Sequence, residues 1–489
     1  MNKKREELYI ANKEAFRRLV YEKSFEKYGK NIQTRIKERI DRELSMICCN
    51  ELSLYNFRVA RDLVERAKNH GWTVGNRGSV ASSLIAHLLG ITQINPLEAH
   101  YYCPNCRYVE FHDEFSCGVD MEDKVCQCST KLEKDGFTIP PETFFGMDGS
   151  KVVDIDYNFA LEYQKEAIEH IERLYGATVV ADGVEQTSNY ETMQSGRKVF
   201  IPKDIDVIFC NSDPSMIRKL ESLTNTSVND IPLDDKKTIN LFTEGKTLGI
   251  SEFSTPFVRE HMIGKVGPKS FDDLIRISGM SHGTDIWTDN AETLIEEGKK
   301  VSEVVSCQDD VMLTLIAGGI EREEAYRIFE QIRKGKRLTE EQFTELLKKG
   351  FEKWKLDSWN RILYTFPRAH VASYVLYAYR MAYYKAHYPL EFYCAYFNTY
   401  LDKFDADLLI NNSNSLHQRI NETKQNIKNA DISNLIMMEL CQEMYDKGFE
   451  FSVRSVEDEI KEFIISNNRI CPIVDKSIDD NMTEKYTEI

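Results

Sequence analysis

Two short acidic stretches carry carboxylates at a spacing suited to binding metal ions. VVDIDYNF places Asp154 and Asp156 two residues apart, and KDIDVIF does the same with Asp204 and Asp206. Side chains two residues apart in a strand project from one face, so each pair presents its carboxylates together. Like charges held this close are costly unless a cation joins them, and Mg²⁺ prefers carboxylate oxygens. One pair alone is typical of an exposed strand edge, whereas two pairs on adjacent strands predict a two-metal centre.

A glycine- and serine-rich stretch, GNRGSVASSL at 75–84, precedes a helix-like apolar run. A helix N-terminus offers unpaired N–H groups and a partial positive charge, which favour an anion such as phosphate. Arg77 adds a guanidinium, and Ser79, Ser82 and Ser83 add hydroxyl donors. The alternative is an ordinary turn in which serines cap an amphipathic helix.

Four of the twelve cysteines are arranged as two close pairs. These are Cys103-Pro-Asn-Cys106 and Cys126-Gln-Cys128, at a separation typical of a Cys₄ structural zinc site. The second pair has one intervening residue where two are usual, which leaves Cys117 as a substitute ligand. Buried thiols are the alternative, but the flanking sequence is too polar to form a core of its own.

Two stretches of the C-terminal half combine cations with aromatic residues. Such cations suit the binding of triphosphate or nucleic-acid backbone. The alternatives are a solvated charged face, tyrosines that form a core, and a core histidine at position 370. The cations are Arg333, Lys334, Lys336 and Arg337 in IRKGKRL, and Arg368, His370, Arg380 and Lys385 in FPRAHVASYVLYAYRMAYYKAHYP.

The periodicity around these residues predicts which elements position them. Apolar residues at spacings of three and four predict helices over 1–70, and a Trp-Thr-Val strand is expected before the glycine-rich turn. Both acidic pairs are expected on strands. The chain from 215 to about 400 reads as mostly helical, and the last 90 residues read as polar helices with a disordered tail.

The composition is that of a soluble globular protein of two or three domains. The 489 residues are 42% hydrophobic and 29% charged, with a net charge of −16. That charge argues against a wholly basic coat protein but is compatible with a polymerase or nuclease that has local basic grooves. We find no signal peptide and no apolar run of membrane-spanning length, so the cytoplasm is the expected compartment.

Taken together and in order, the motifs resemble one family. GNRGSVASSLIAHLLGIT, HYYCPNCRYVEF, DIDYNFALEYQ, SGMSHGTDIW, IRKGKRLT and FPRAHVASYVLYAYR are similar to the C-family bacterial replicative DNA polymerases, in particular their PolC-type DNA polymerase III alpha subunits. The similarity runs from about residue 20 to about residue 465.

The resemblance implies a role for each motif. Asp154 and Asp156 match the first two catalytic aspartates, and Asp206 matches the third, with Asp204 as the fallback because that strand is one residue out of step. The implied cofactors are two Mg²⁺ ions on Asp154, Asp156 and Asp206, and one structural Zn²⁺ on Cys103, Cys106, Cys126 and Cys128. The residues implied to bind substrate are Arg77, Ser79, Ser281, His282, Arg333, Lys334, Lys336, Arg368 and His370.

The implied fold is α+β: a Polβ-like nucleotidyltransferase palm with a zinc ribbon insertion and a large, mostly helical fingers domain. The expected domains are an N-terminal helical part of the palm (1–70), the catalytic palm (71–214, with the ribbon at 101–137), the fingers (215–400) and a helical C-terminal remnant (401–489). The interval 174–203 is much shorter than the family's thumb, and its Gly-Gln-His-Pro-Gly-Gly-like motif is not found.

The resemblance therefore implies a compact DNA-directed DNA polymerase that lacks an exonuclease and cannot proofread by itself. Its implied partners are primer–template DNA, dNTPs and a sliding clamp or other replisome protein. The alternative is a noncatalytic or degenerate module that binds nucleotide, DNA or replisome proteins, because a palm without a thumb should grip DNA poorly.

Overall fold

The computed structural model describes residues 3–151, 153, 155–175, 190–192, 198–200, 209–210, 212–409, 413–425, 432–453 and 459–474. The first half of the chain contains the helices α1 (Lys3–Tyr28), α2 (Thr34–Cys48), α3 (Glu51–Asn69), α4 (Leu84–Leu88), α5 (Glu142–Phe145) and α6 (Gln164–Tyr175). Its strands are β1 (Gly75–Arg77), β2 (His100–Tyr102), β3 (Val109–Phe111), β4 (Glu133–Asp135), β5 (Asp156–Phe159), β6 (Tyr190–Thr192), β7 (Lys198–Phe200) and β8 (Phe209–Cys210).

The second half is mostly helical, as the sequence predicts. It contains α7 (Ser212–Thr224), α8 (Lys236–Thr243), α9 (Ile263–Val266), α10 (Phe271–His282), α11 (Glu292–Glu296), α12 (Gln308–Ala317), α13 (Arg322–Arg333), α14 (Glu340–Lys348), α15 (Lys353–Trp359), α16 (Arg368–His387), α17 (Pro389–Thr399), α18 (Ser413–Gln425) and α19 (Ile432–Asp446). Strands β9 (Ile460–Ser466) and β10 (Arg469–Val474) follow. No helix within the described ranges is long and apolar enough to cross a bilayer.

A small mixed sheet joins the glycine-rich stretch to the first acidic stretch. Its order is β1-β5-β8, with β5 antiparallel to β1 and parallel to β8. The strand expected at Trp72–Val74 instead begins at Gly75, because it is residues 75–77 that pair with β5. The Trp72 indole packs against Tyr163 and the Arg218 guanidinium, so it contributes packing outside the ladder.

The cysteine-rich segment forms its own antiparallel sheet, ordered β3-β2-β4. It is held against the helical half by Asp120, whose carboxylate accepts hydrogen bonds from Phe271 N at 2.7 Å and Asp272 N at 2.9 Å. These amides belong to the N-terminus of α10, where a carboxylate is favoured by the helix dipole.

Helix α16 runs through the centre of the helical half and reaches the sheet. Most of its side chains are buried, and it packs against α8, α10 and α17. The same helix contacts β1 and the 3₁₀ turn Ser79–Ser82. One helix therefore connects the FPRAH motif with the glycine-rich stretch.

The C-terminal segment departs from the prediction of polar helices alone. Strands β9 and β10 form an antiparallel hairpin whose turn contains Asn467 and Asn468. Both asparagines have positive φ, 51° and 62°, as the tight turn of a two-residue hairpin requires. The Asn-Asn pair between apolar runs was the signal for this hairpin. The predicted disordered tail, residues 478–489, lies outside the described residues.

A buried polar network attaches α1 to β4. Lys27 Nζ lies 2.6 Å from His87 Nε2 and 3.4 Å from Asp135 Oδ2. Asn95 Nδ2 donates to the same carboxylate oxygen at 2.7 Å. Burial, reinforced by the Lys27 ammonium, lowers the pKa of His87 to about 3, so its imidazole is neutral in the folded protein at pH 7.

This pKa predicts a loss of stability in mild acid. The unfolded chain binds a proton at His87 below about pH 6.5, whereas the folded chain excludes it until about pH 3. The contribution is therefore complete above pH 6.5 and falls on acidification by about 1.4 kcal/mol per pH unit. In urea unfolding, His87→Gln should lose about 2 kcal/mol less than the wild type between pH 7 and pH 5. Exposed His417→Gln is the matched control, and equal losses in the wild type and His87→Gln would contradict the assignment.

Candidate functional site

The sheet brings the glycine-rich stretch and the first acidic stretch together. In the β1–β5 register, Arg77 is the direct partner of Asp156, and Asn76 that of Tyr157. On the other edge of β5, Asn158 pairs with Phe209, three residues after Asp206 in the chain. Asp154, Asp204 and Asp206 themselves lie outside the described residues.

The N-terminus of α4, predicted to hold a phosphate, is filled by a carboxylate of the protein. Glu43 is fully buried and accepts hydrogen bonds from Ser83 Oγ at 2.7 Å, Leu84 N at 3.0 Å and Ile85 N at 3.0 Å. Arg39 Nε pairs with Glu43 at 2.5 Å. These N–H groups and the Ser83 hydroxyl therefore bind an internal carboxylate, and the phosphate prediction for the loop itself stays a prediction.

The serines of this stretch divide into two groups. Ser82 and Ser83 are fully buried; Ser82 Oγ lies 3.2 Å from Thr143 Oγ1, and Ser83 is the N-cap of α4. The prediction that Ser82 and Ser83 offer hydroxyl donors to a phosphate does not fit this burial, because both hydroxyls have partners inside the protein. Ser79 is only partly buried, at the start of a 3₁₀ turn that follows Gly78, whose φ of 94° favours glycine. Arg77 and Ser79 remain the candidates on this loop.

In the helical half, the SHGTDIW and FPRAH motifs meet around one short segment. Thr284 N donates to Tyr364 O at 2.9 Å, and the His282 ring stacks on Phe366 with 4.9 Å between centroids. His282 Nε2 lies 3.0 Å from Glu252 Oε2, and this carboxylate raises the pKa of the imidazole. The neighbouring Ser281 Oγ donates to Ser278 O at 2.8 Å.

The RKGKRL loop lies beside the same segment. Gly335 has a φ of 69°, and a side chain there would clash with the Leu363 carbonyl at 2.9 Å. Arg333 and Lys334 both pair with Glu330, at 2.8 Å and 3.0 Å. Lys336 is exposed. The structure thus places all three sequence motifs of the helical half on one partly exposed surface.

The two residues named in FPRAH differ sharply in environment. His370 is partly buried, and its ring lies between those of Phe366 and Tyr374, at 5.2 Å and 6.3 Å. Arg368 is 1% exposed and donates to Phe137 O at 2.9 Å, to Ser116 O at 3.2 Å and to the Asp272 carboxylate. The prediction that Arg368 contacts substrate does not fit this burial, because its donors are used inside the protein.

The four paired cysteines converge as predicted. The sulfurs of Cys103, Cys106, Cys126 and Cys128 lie within 4.8 Å of one another, with Cys103–Cys128 at 3.5 Å and Cys106–Cys126 at 3.4 Å. A tetrahedral zinc thiolate centre has sulfurs about 3.8 Å apart. Cys117 is not in this group; it is 1% exposed in the main core, where burial raises the pKa of its thiol.

Local turns hold the cysteine pairs in place. Cys106 N lies 3.4 Å from Cys103 Sγ, and Arg107 N donates to Cys103 O at 3.0 Å, closing the first turn. Hydrogen bonding with Thr130 lowers the pKa of the Cys128 thiol to about 6. The donor set suits zinc because four cysteine sulfurs are the ligands of many structural zinc sites.

Sequence reasoning missed Glu43 and Asp120, the carboxylates that bind helix N-termini inside the protein. Glu43 gives one signal: it lies on the face of α2 that also carries Ile36, Ile40 and Ile47. A charged residue on an apolar helical face predicts a buried partner.

Two family profiles match the chain. The profile for the bacterial DNA polymerase III alpha NTPase domain matches residues 14–238, and that for the alpha subunit finger domain matches residues 213–354.

Curated relatives described as DNA polymerase III PolC-type match over most of the chain. That of Caldanaerobacter subterraneus subsp. tengcongensis is 35% identical over 556 residues, covering 94% of this chain and 39% of the relative. Those of Thermotoga maritima and Bacillus subtilis are 35% and 34% identical, each over 94% of this chain and over 40% and 38% of the relative. The chain thus spans about two fifths of the length of these relatives.

The geometry around Glu43 predicts a large effect of removing one charge. Glu43→Gln leaves Arg39 without its buried partner and removes the anion at α4, which should cost about 3 kcal/mol. Urea unfolding followed by circular dichroism measures this. Glu26→Gln is the matched control, since Glu26 is exposed and pairs with Lys23 on the same helix; it should cost under about 0.5 kcal/mol. Equal unfolding free energies of the two variants would show that Glu43 does not anchor the loop.

Proposed function

The chain belongs to the bacterial DNA polymerase III alpha subunit family, and on that basis we propose that it is a DNA-directed DNA polymerase of PolC type. The observation that carries the proposal is the β1–β5–β8 sheet. It pairs Arg77, from the stretch proposed to bind phosphate, with Asp156, from the stretch proposed to bind metal. β8 then follows on the far side of β5.

The three proposed catalytic carboxylates are compatible with this sheet. Phe209 is paired with Asn158 and follows Asp206 by three residues, a chain length of at most about 11 Å, which supports the proposal that Asp206 acts beside β5. Asp154 precedes Asp156 by two residues. Carboxylate oxygens are the ligands that Mg²⁺ prefers, so Asp154, Asp156 and Asp206 would hold two such ions, with Asp204 as the fallback for the third ligand. When bound, the ions supply electrostatic stabilisation of the phosphoryl oxygens.

The other residues bind and orient the nucleotide. Arg77 and Ser79 would contact the triphosphate, where a guanidinium and a hydroxyl supply donors. His282 and His370 flank Phe366 and would line the base and template side, with Ser281, Arg333, Lys334 and Lys336 around them. Arg368 positions this surface without contacting the substrate. It is buried, and it lies two residues along the chain from both Phe366 and His370.

The fold supports the same assignment at the level of domains. We propose that the small mixed sheet with its helices is the Polβ-like palm and that the helices from residue 215 to about 400 are the fingers. The substrates are then dNTPs and primer–template DNA, and a sliding clamp is a proposed partner. Residues 401–489 would continue beyond the fingers.

One observation favours the noncatalytic module as a second candidate. The match to the Caldanaerobacter relative extends over 556 residues, although this chain has 489, so the relative carries additional residues inside the matched region. The interval 174–203, where the thumb is expected, is the proposed place. A module with less surface for duplex DNA would bind nucleotide without extending a primer efficiently.

Primer extension distinguishes the two candidates. With Mg²⁺ at low salt, where phosphate contacts are strongest, the wild-type chain should extend a primer. Asp154→Ala/Asp156→Ala should lower the rate at least about 10²-fold, since electrostatic stabilisation of the reacting phosphate is lost. Asp148→Asn, an exposed carboxylate of the preceding loop, is the matched control and should keep the rate. Binding of dNTP without extension by the wild type would favour the noncatalytic module.

We further propose that the four-cysteine cluster holds one structural zinc ion. The donor set is four thiols at distances compatible with a tetrahedral centre. The segment also has a small cluster of buried residues that includes Cys103 and Cys126, which corrects the expectation that its sequence is too polar to form a core. The ion would fix the cysteine turns, and this segment in turn contacts the N-terminus of α10 through Asp120.

The zinc proposal predicts a metal content and its loss. Purified protein should carry about one zinc per chain by mass spectrometry of the metal. Cys106→Ser should lose the ion and lower the unfolding midpoint, because metal binding is coupled to folding of such segments. Cys117→Ser is the matched control: it changes a buried thiol outside the cluster and should keep the ion. Equal zinc in both variants would rule out this ligand set.

A further inference from the structure

A connected series of partly exposed rings leads from the surface of the helical half onto α16. The ring centroids of Tyr364 and Phe366 lie 6.4 Å apart, those of Phe366 and His370 5.2 Å, and those of His370 and Tyr374 6.3 Å. The His282 ring joins the others by stacking on Phe366. All five residues, here called the ring series, keep part of their surface accessible. The ring series therefore offers aromatic surface to a ligand.

Tyr364 is the most exposed member of the ring series. It is 42% exposed, and Leu363 beside it is 53% exposed. Backbone hydrogen bonds nonetheless fix this pair of residues: Leu363 N donates to Thr284 O at 3.2 Å, and Thr284 N donates to Tyr364 O at 2.9 Å. Two large hydrophobic side chains that are held in place and still exposed indicate a binding surface. A ring on a fixed backbone also loses little conformational entropy when it binds.

The two ends of the ring series contact different parts of the proposed site. At the Tyr364 end, Gly335 of the RKGKRL loop lies against the Leu363 carbonyl. At the other end, His370 and Tyr374 are one turn apart on α16, the helix that contacts β1 and the 3₁₀ turn after it. The ring series thus connects the exposed loop with the helix that reaches the small mixed sheet.

The charge of this surface does not by itself select a ligand. The cations of the RKGKRL loop border it on one side, and the exposed carboxylates of Asp285 and Asp289 lie in and just after the SHGTDIW motif. Stacking on an aromatic ring does not require an excess of cations, and every nucleobase has a π-face that can stack. The aromatic residues therefore carry the assignment of the ligand.

We propose that Tyr364 stacks on an unpaired base of the template strand ahead of the primer terminus. The assignment rests on the proposed function, because the ring series includes the residues proposed to line the base and template side. An unpaired base suits the site better than an aromatic side chain of a partner protein, since Tyr364 continues a series of rings that begins at the proposed nucleotide site. Tyr364 holds the template in this assignment and takes no part in the chemical step.

Binding of labelled primer–template by the whole chain, measured without dNTP, tests this contact without requiring synthesis. DNA with an intact template overhang is compared with DNA that carries one abasic nucleotide, either at one of the first four overhang positions or at the far end. For the wild type, the abasic nucleotide should weaken binding by about tenfold at one of the first four positions, as expected for the loss of one stacked base. At the far end it should have no effect.

Three variants identify the ring as the partner of that base. Tyr364→Ala should weaken binding of the intact DNA by about the same factor, and the abasic nucleotide should then cost little more, because partners in one contact are not additive. Tyr364→Phe keeps the ring and should bind like the wild type. Phe257→Ala is the matched control: this ring is 43% exposed and lies 6.2 Å from that of His261, outside the ring series. It should keep the wild-type response to the abasic nucleotide.

Several outcomes would overturn the proposal. They are additive effects of Tyr364→Ala and the abasic nucleotide at every position, a Tyr364→Phe variant that binds as weakly as Tyr364→Ala, and a wild type that responds to no abasic position. Primer extension by the wild type is scored separately. An inactive chain that keeps the coupling between Tyr364 and one template position supports this contact and refutes the polymerase, and an active chain without that coupling does the reverse.

Discussion

The buried guanidinium of Arg368 is the interaction on which the arrangement of the helical half depends. It joins Phe137 O and Ser116 O of the cysteine-rich segment to the carboxylate of Asp272 on α10. The same carboxylate pairs with Arg276 at 2.7 Å. A guanidinium buried without partners costs several kcal/mol, so these groups must stay in register for the protein to fold. Because Arg368 begins α16, this requirement also fixes the helix that reaches β1.

Carboxylates of the protein occupy two helix N-termini, a kind of position that commonly binds anionic ligands. Glu43 occupies the amides at the start of α4, and Asp120 those at the start of α10. Glu142 is fully buried and pairs with Arg42 on α2 and Arg322 on α13, each at 2.5 Å. Asp120 and Glu142 thereby connect the first half of the chain to the second, whereas Glu43 joins α2 to α4 within the first half. The N-termini of α4 and α10 therefore serve as internal contacts between elements. The groups proposed to bind a ligand, Arg77 and Ser79, lie on the loop before α4.

The sequence predicted chemistry better than geometry. The convergence of the four cysteines and the helical content of the second half follow from spacing and periodicity, which are local properties of the chain. The buried role of Arg368 does not follow from the sequence. An arginine that binds a ligand and one that binds internal partners look alike in a sequence, and only the folded structure shows which groups surround the guanidinium. The strand at Gly75–Arg77 was placed three residues early, since pairing with β5 outweighed the apolar Trp72–Val74 run. The Asn467-Asn468 pair is a signal for a hairpin turn, but the polar residues around it led to a prediction of helices in this segment.

Charge distribution links the proposed chemistry to the grip on DNA. A net charge of −16 repels a polyanion at long range, and salt screens that repulsion over about 8 Å. A DNA strand bound by this chain would therefore have to be held by local cations that act within that distance, such as those of the RKGKRL loop. Their contacts weaken as salt rises. The proposed palm, with its short 174–203 interval, would depend on such contacts more than a palm with a large duplex-binding surface. In the proposed polymerase, retention of DNA would then limit the rate of nucleotide transfer, while the chemical step would depend on the proposed carboxylates and Arg77.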